Sequence, residues 1–127
     1  MQLVRPDDPI LHRFCRPDFT IHRTDLDQML FLMRENNGLG LAASQVGIDA
    51  RLFVTDWGEV FVNPLIVQRF GNQSRQEGCL SLPNITRRKS RDYQIILADG
   101  QTYNGLRAAV IQHEIDHLDG ILITDED

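Results

Sequence analysis

His113 and His117, four residues apart near the end of a 127-residue chain, constrain the fold more than any other feature. On a helix, residues at that spacing project from one face, one turn above the other. Two imidazoles so placed can share one transition metal, and Glu114 beside them can take a proton from a metal-bound water. The stretch Gln112-His113-Glu114-Ile115-Asp116-His117 therefore asks for a helix with a donor-bearing face. A catalytic site of this kind also asks the rest of the chain for a third ligand, leaving one position for water.

The surrounding pattern predicts that helix from about Gly105 to Leu118, closed by Gly120. Leu106, Ala109, Val110 and His113 share a face, which would set the metal against the core. Upstream, Asp8 and Pro9 open a short helix through about Phe14. Thr24 caps a longer one, with Asp27 three residues on; Leu26, Met29, Leu30 and Met33 form its apolar stripe, and Asn36-Asn37-Gly38 ends it. Strands are predicted over 51–55, 59–63, 65–70, 85–91 and 93–97, with a short one at Ile121-Leu122-Ile123. Trp57-Gly58 and Asp99-Gly100 read as turns, residues 71–74 as a loop, and Pro64 as a bend or sheet edge. Helices and strands mix without strict alternation. That favours an α+β fold, antiparallel or mixed sheets packed around a central metal-binding helix, in one domain over residues 1–127.

Composition narrows the function. Thirteen Lys and Arg against eighteen Asp and Glu give a net charge of −5, which disfavours nucleic acid as a partner. The basic run Arg87-Arg88-Lys89 with Arg91 reads as a solvated strand edge. No stretch approaches the roughly 20 apolar residues of a membrane span, and the first residues lack the basic-then-apolar order of a secretory signal. Two cysteines, Cys15 and Cys79, make no disulfide framework and point to a reducing cytosol. Cys15 reads as a buried structural thiol; His12 and His22 read as surface or helix-end residues.

The third ligand is the open question. Ten residues follow His117 (127 − 117), offering Asp119, Asp125, Glu126 and Asp127. Asp119 sits too close on the same helix end, and the last three read as a solvated tail. Cys79 is the better donor: it stands in Glu77-Gly78-Cys79-Leu80-Ser81-Leu82-Pro83, suited to a tight, shielded turn. A thiolate with two imidazoles is a good set for zinc or ferrous iron. Asp116 reads as an orienting partner for a histidine rather than a fourth ligand. One more segment stands out, Gly38-Leu39-Gly40-Leu41-Ala42-Ala43-Ser44-Gln45-Val46-Gly47, small and apolar with one polar side chain, Gln45. It lacks phosphate-loop spacing and fits a tight extended segment lining a cleft.

Residues 38–45, 77–81 and 112–117 together closely resemble the three signature motifs of the peptide deformylases, in the same order, and the resemblance spans about residues 5–123. It implies that Cys79, His113 and His117 bind one divalent ion, ferrous iron in the native enzyme with zinc or nickel as substitutes. Glu114 would be the general acid and base, while the Gln45 amide and the Leu80 backbone N–H would stabilise the oxyanion. Backbone at Leu39, Gly40 and Gly78 would pair with an extended peptide, and Val110 with its neighbours would line the methionine pocket. Glu77 and Arg91 would form a structural ion pair. The implied substrates are N-formylmethionyl peptides and nascent chains, met in the cytoplasm by a monomer, with transient ribosome contact. The chain stops soon after the metal helix, as in the shortest members, including those carried by bacteriophages. Two rivals remain at this point: a zinc endoprotease sharing His113, Glu114 and His117, and a non-catalytic module in which metal merely holds helix to sheet.

Overall fold

The computed structural model describes residues 1–125; Glu126 and Asp127, weighed above as ligands or tail, lie outside the described residues. Eight strands make three antiparallel sheets. β1 (Gly40–Ala42), β2 (Leu52–Thr55) and β3 (Val60–Val62) form the first, in the order β1-β2-β3. β4 (Ile66–Phe70), β7 (Gln94–Leu97) and β8 (Thr102–Asn104) form the second, in the order β4-β7-β8. β5 (Gln73–Cys79) and β6 (Leu82–Arg91) pair only with each other. Pro64 lies between β3 and β4, where the chain leaves one sheet for another and its missing N–H breaks no ladder.

Helix α2 (Gly105–Leu118) packs against β1, β2, β7 and β8. Ala108, Ile111, Ile115 and Leu118 turn its apolar stripe into a core with Phe53, Phe61, Ile95, Leu97 and Tyr103. The core-facing stripe is thus not the one expected from the sequence. Leu106, Ala109, Val110 and His113 instead look into a cleft, with Leu106 43% exposed. The metal face and the packing face of the helix are different faces.

Helix α1 (Arg23–Glu35) buries Met29 and Met33 against the first sheet, as the stripe predicts. Its cap lies two residues earlier than Thr24: the His22 N–H donates to the Asp25 carboxylate at 3.3 Å. Asp8 accepts from the Ile10 N–H at 3.0 Å as expected, but the segment is one 3₁₀ turn, Pro9–His12, rather than a helix to Phe14. Phe14 lies outside it under the Arg51 guanidinium, 4.1 Å from ring centroid to Cζ.

Three further expectations are corrected. Residues 71–74 are not all loop, and the 77–83 stretch is not all turn. β5 runs from Gln73 to Cys79, and a two-residue connection, Leu80-Ser81, joins it to β6. β8 was not foreseen. Ile121-Leu122-Ile123 forms no strand; Leu122 and Ile123 fill a small cluster with Leu11 and Leu82, so burial accounts for their apolarity without pairing.

Gly120 ends α2 at φ +76°, and a Cβ there would lie 2.6 Å from the His12 backbone carbon. Left-handed backbone alone costs an L-residue about 1–2 kcal/mol. Gly120→Ala is therefore expected to lose at least that much stability by urea denaturation, with more lost where the 3₁₀ turn must move aside.

Candidate active site

The β1 end of the first sheet, the β5–β6 hairpin and α2 meet at a cleft of about 430 Å³ that exposes the edge of β1, the edge of β5 and one face of α2. Leu39, Gly40, Gln45, Gly78, Leu80, Val110, His113 and Glu114, all named from the sequence, line it. Cys79 comes from the end of β5 and the histidines from the third and fourth turns of α2. Their donor atoms lie within 4.8 Å of one another.

The geometry suits a metal. The Cys79 Sγ is 3.4 Å from His117 Nε2. Two donors bound tetrahedrally at about 2.3 Å (sulfur) and 2.0–2.1 Å (nitrogen) would stand about 3.5 Å apart. His113 Nδ1 lies 2.9 Å from Glu77 Oε1, which leaves Nε2 as its free ligand atom. Among the described residues the buried His117 Nδ1 has no partner.

An acid–base network holds this arrangement. Arg91 forks onto Glu77 at 2.7 and 2.9 Å and also donates to Asp116 at 2.6 Å. Asp116 was expected to orient a histidine; it holds the arginine, and Glu77 orients His113 instead. Burial pulls the Glu77 carboxyl upward, but hydrogen bonds from Arg91 and His113 outweigh it and hold the group at about 2. Burial pushes His113 down; with no metal at Nε2 its bonds to Cys79 and Glu77 overcome this and lift it to about 10, and a bound metal would displace that proton. His117, buried and close to His113, is held well below its ordinary value.

Glu114 differs from all of these. It is 4% exposed, its Oε1 has no partner among the described residues, and burial raises its carboxyl to about 7 despite His113 nearby. A carboxylate so poised can take and return a proton near neutral pH. Its space is set by Gly40: a Cβ at that position would lie 2.7 Å from Glu114 Oε2. Glycine at 40 is thus required by close approach rather than by a turn.

Gln45, 1% exposed, is fixed at both ends of its amide. Oε1 accepts from the Ala42 N–H at 2.9 Å, so Nε2 must face the site. There it donates to Ser81 Oγ at 3.0 Å and lies 3.6 Å from Cys79 Sγ. Ser81 was missed by sequence reasoning; a lone serine in a turn carries no signal until the glutamine is seen to meet it.

The remaining candidates fall elsewhere. Asp119 pairs with Arg51 at 2.9 Å, and Asp125 accepts from the Leu122 N–H at 2.8 Å. Cys15 is buried beside the His117 carbonyl, and burial pushes its thiol up, as suits a packed structural side chain. Among the described residues no helix is long and apolar enough to cross a membrane.

Comparison with known proteins agrees with this geometry. The profile of the polypeptide deformylase family matches residues 1–126. Peptide deformylase 1 of Clostridium perfringens is 38% identical, the match covering 95% of this chain and 93% of that protein. The peptide deformylase of Thermotoga maritima has the same fold, with a TM-score of 0.88, 33% identity, and 98% and 95% of the two chains covered. The deformylase of Vibrio parahaemolyticus bacteriophage VP16T, solved with actinonin, has a TM-score of 0.83 at 33% identity, covering 97% of this chain and all (100%) of that one.

Proposed function

The chain belongs to the polypeptide deformylase family, and from that premise we propose how its residues remove the formyl group from newly made polypeptides. One observation carries the reading: a thiol and two imidazoles converge at one end of an open cleft, beside a buried carboxylate and a fixed amide N–H.

Deformylases are metalloenzymes, and here Cys79, His113 and His117 would hold the ion. We propose ferrous iron as the native metal, with zinc or nickel as substitutes, since thiolate and imidazole suit all three. When bound, the ion supplies Lewis acidity, which lets water lose a proton near neutral pH. Glu114 accepts that proton at its carboxylate and returns it to the amine of the methionine as formate departs. Its burial serves this role, because a carboxyl at an ordinary value would hold the proton too weakly to pass it on. The Gln45 amide and the Leu80 N–H donate to the formyl oxygen as negative charge grows there. The Ala42 N–H keeps the Gln45 amide from turning over.

The substrate is held as an added strand. β1 and β5 each leave one edge unpaired toward the cleft, so backbone at Leu39, Gly40 and Gly78 can bond an extended chain. Leu106, Ala109 and Val110 offer an apolar wall for the methionine side chain. We place this single catalytic domain, working as a monomer, in the cytoplasm of a bacterium or of a phage's host, where it meets nascent chains in passing contact with the ribosome. The resemblance of its motifs and its match to a phage deformylase support that placement.

Anaerobic purification with metal analysis, paired with formate release from formyl-Met-Ala-Ser, tests the proposal. Cleavage of internal bonds in unformylated peptides, with no formate released, would establish an endoprotease instead. Gln45→Ala is expected to lower kcat by about 10²–10³ while metal content stays at wild-type level. It should also cost about 1–3 kcal/mol, because the buried Ala42 N–H loses its acceptor. Full activity on formyl-Met-Ala-Ser would remove Gln45 from the mechanism.

A further inference from the structure

We infer that Arg75 is a specificity-determining residue that makes the enzyme favour formylated chains with an acidic side chain within their first four residues. The inference rests on the deformylase reading above and extends it past the methionine.

Arg75 lies on β5, two residues from Glu77 and four from Cys79, and is the one Arg or Lys among the cleft-lining residues. At about 3.3 Å per residue, its Cα stands about 13 Å along the strand from the metal cysteine. An extended chain whose formyl group is at Cys79 covers that span in three to four residues. The guanidinium lies where the cleft opens: Nη2 would be 4.0 Å from a Cβ added at Gly105, at the start of α2 and next to the half-exposed Leu106. Arg75 lines the same cleft as the apolar Leu106, Ala109 and Val110.

Two features say what the head would take. First, its Nε donates to a neutral acceptor, Gln73 Oε1, at 2.6 Å. No carboxylate among the described residues pairs with it, whereas Arg51, Arg69 and Arg107 each meet one and Arg91 meets two. Second, Lys89 stands directly opposite Arg75 across the β5–β6 ladder, so both strands of the hairpin carry a basic side chain at this level. The nearest acid on β5, Glu77, is already matched by Arg91 and His113. The overall charge of −5 would by itself repel acidic chains, so a preference for them must come from this local patch.

The test uses the metal-loaded enzyme and formyl-Met tetrapeptides carrying a single Asp, Ala or Lys at position 2, 3 or 4. Formate release should give kcat/KM for Asp about three- to tenfold above Lys at one or more positions, with Ala between. Raising salt toward 1 M should shrink that ratio, since screening then acts within about 3 Å. Arg75→Gln should bring the ratio near one, and Arg75→Glu should invert it. Melting temperatures of both variants separate loss of selectivity from loss of fold. Equal rates for Asp and Lys at all positions in the wild type, or an unchanged ratio in a folded Arg75→Glu, would overturn the inference while leaving deformylation intact. No formate from any peptide would instead overturn the deformylase reading itself.

Discussion

Glu114→Gln is expected to fold, bind metal and lose about 10²–10⁴ in kcat on formyl-Met-Ala-Ser, the range for removing a general acid–base group. The structure adds a second expectation that an ordinary damaging substitution would not meet. Glu114 is buried with an unpartnered Oε1, and burial has raised its carboxyl to about 7. Near neutral pH and with no metal bound, the carboxyl is therefore charged part of the time with little to solvate that charge, and a neutral amide of the same shape lifts that cost in the metal-free protein. The melting temperature should stay level or rise as activity collapses. Stability and turnover moving in opposite directions identify a group retained for chemistry. A variant within tenfold of wild-type turnover would exclude Glu114 as the proton carrier and favour a purely structural metal.

The largest effect on stability is expected at Arg91. Arg91→Leu leaves Glu77 without the fork that offsets its burial, the two side chains being 7% and 10% exposed. Breaking a buried pair from one side costs about 3–5 kcal/mol, which for a domain of this size is roughly 10–20 °C in Tm. Asp116 also loses its partner but is one-third exposed, so water takes over part of that bond. The pH dependence follows in sign. Glu77 is held at about 2 against an ordinary 4.5, so its contribution is complete above about 4.5 and lost as pH falls through about 2. The gap between wild type and Arg91→Leu should narrow over that interval. Removing both charges, as Arg91→Leu with Glu77→Met, should recover much of the loss, though His113 is then no longer oriented. If Arg91→Leu melts within 3 °C of wild type, the network does not support the site.

The Met29–Met33 stripe and most strands were legible because apolar periodicity carried them, whereas the metal helix was legible from its histidine spacing and its apolar stripe was assigned to the wrong face. β5 was not: Gln-Ser-Arg-Gln-Glu-Gly-Cys contains no β-branched or aromatic residue, and its order comes from pairing with β6 and from side chains reaching α2. β8 is too short to show a period. Ile121-Leu122-Ile123 misled in the opposite direction, since burial in a small cluster selects the same residues as a strand does. The candidate site read well, because metal donors, a lone glutamine and close-approach glycines are distinctive residue types. What the sequence concealed was part of their wiring, beyond the expected Glu77–Arg91 pair, which forms. Asp116 and Glu77 are both acids at plausible distance from a histidine, and only the three-dimensional path of β5 decides that Glu77 takes His113 and Asp116 takes Arg91.

Among the described residues the β5–β6 hairpin joins no other sheet, and so it offers two unpaired edges. An edge that can welcome a substrate strand can equally welcome a neighbouring molecule's, which makes self-association the standing hazard of this design. The Arg87-Arg88-Lys89 run along β6 then has a use outside catalysis: like-charged hairpins repel before their backbones can zip together. Crowded, concentrated solutions of a charge-neutralised hairpin would be the first to turn cloudy.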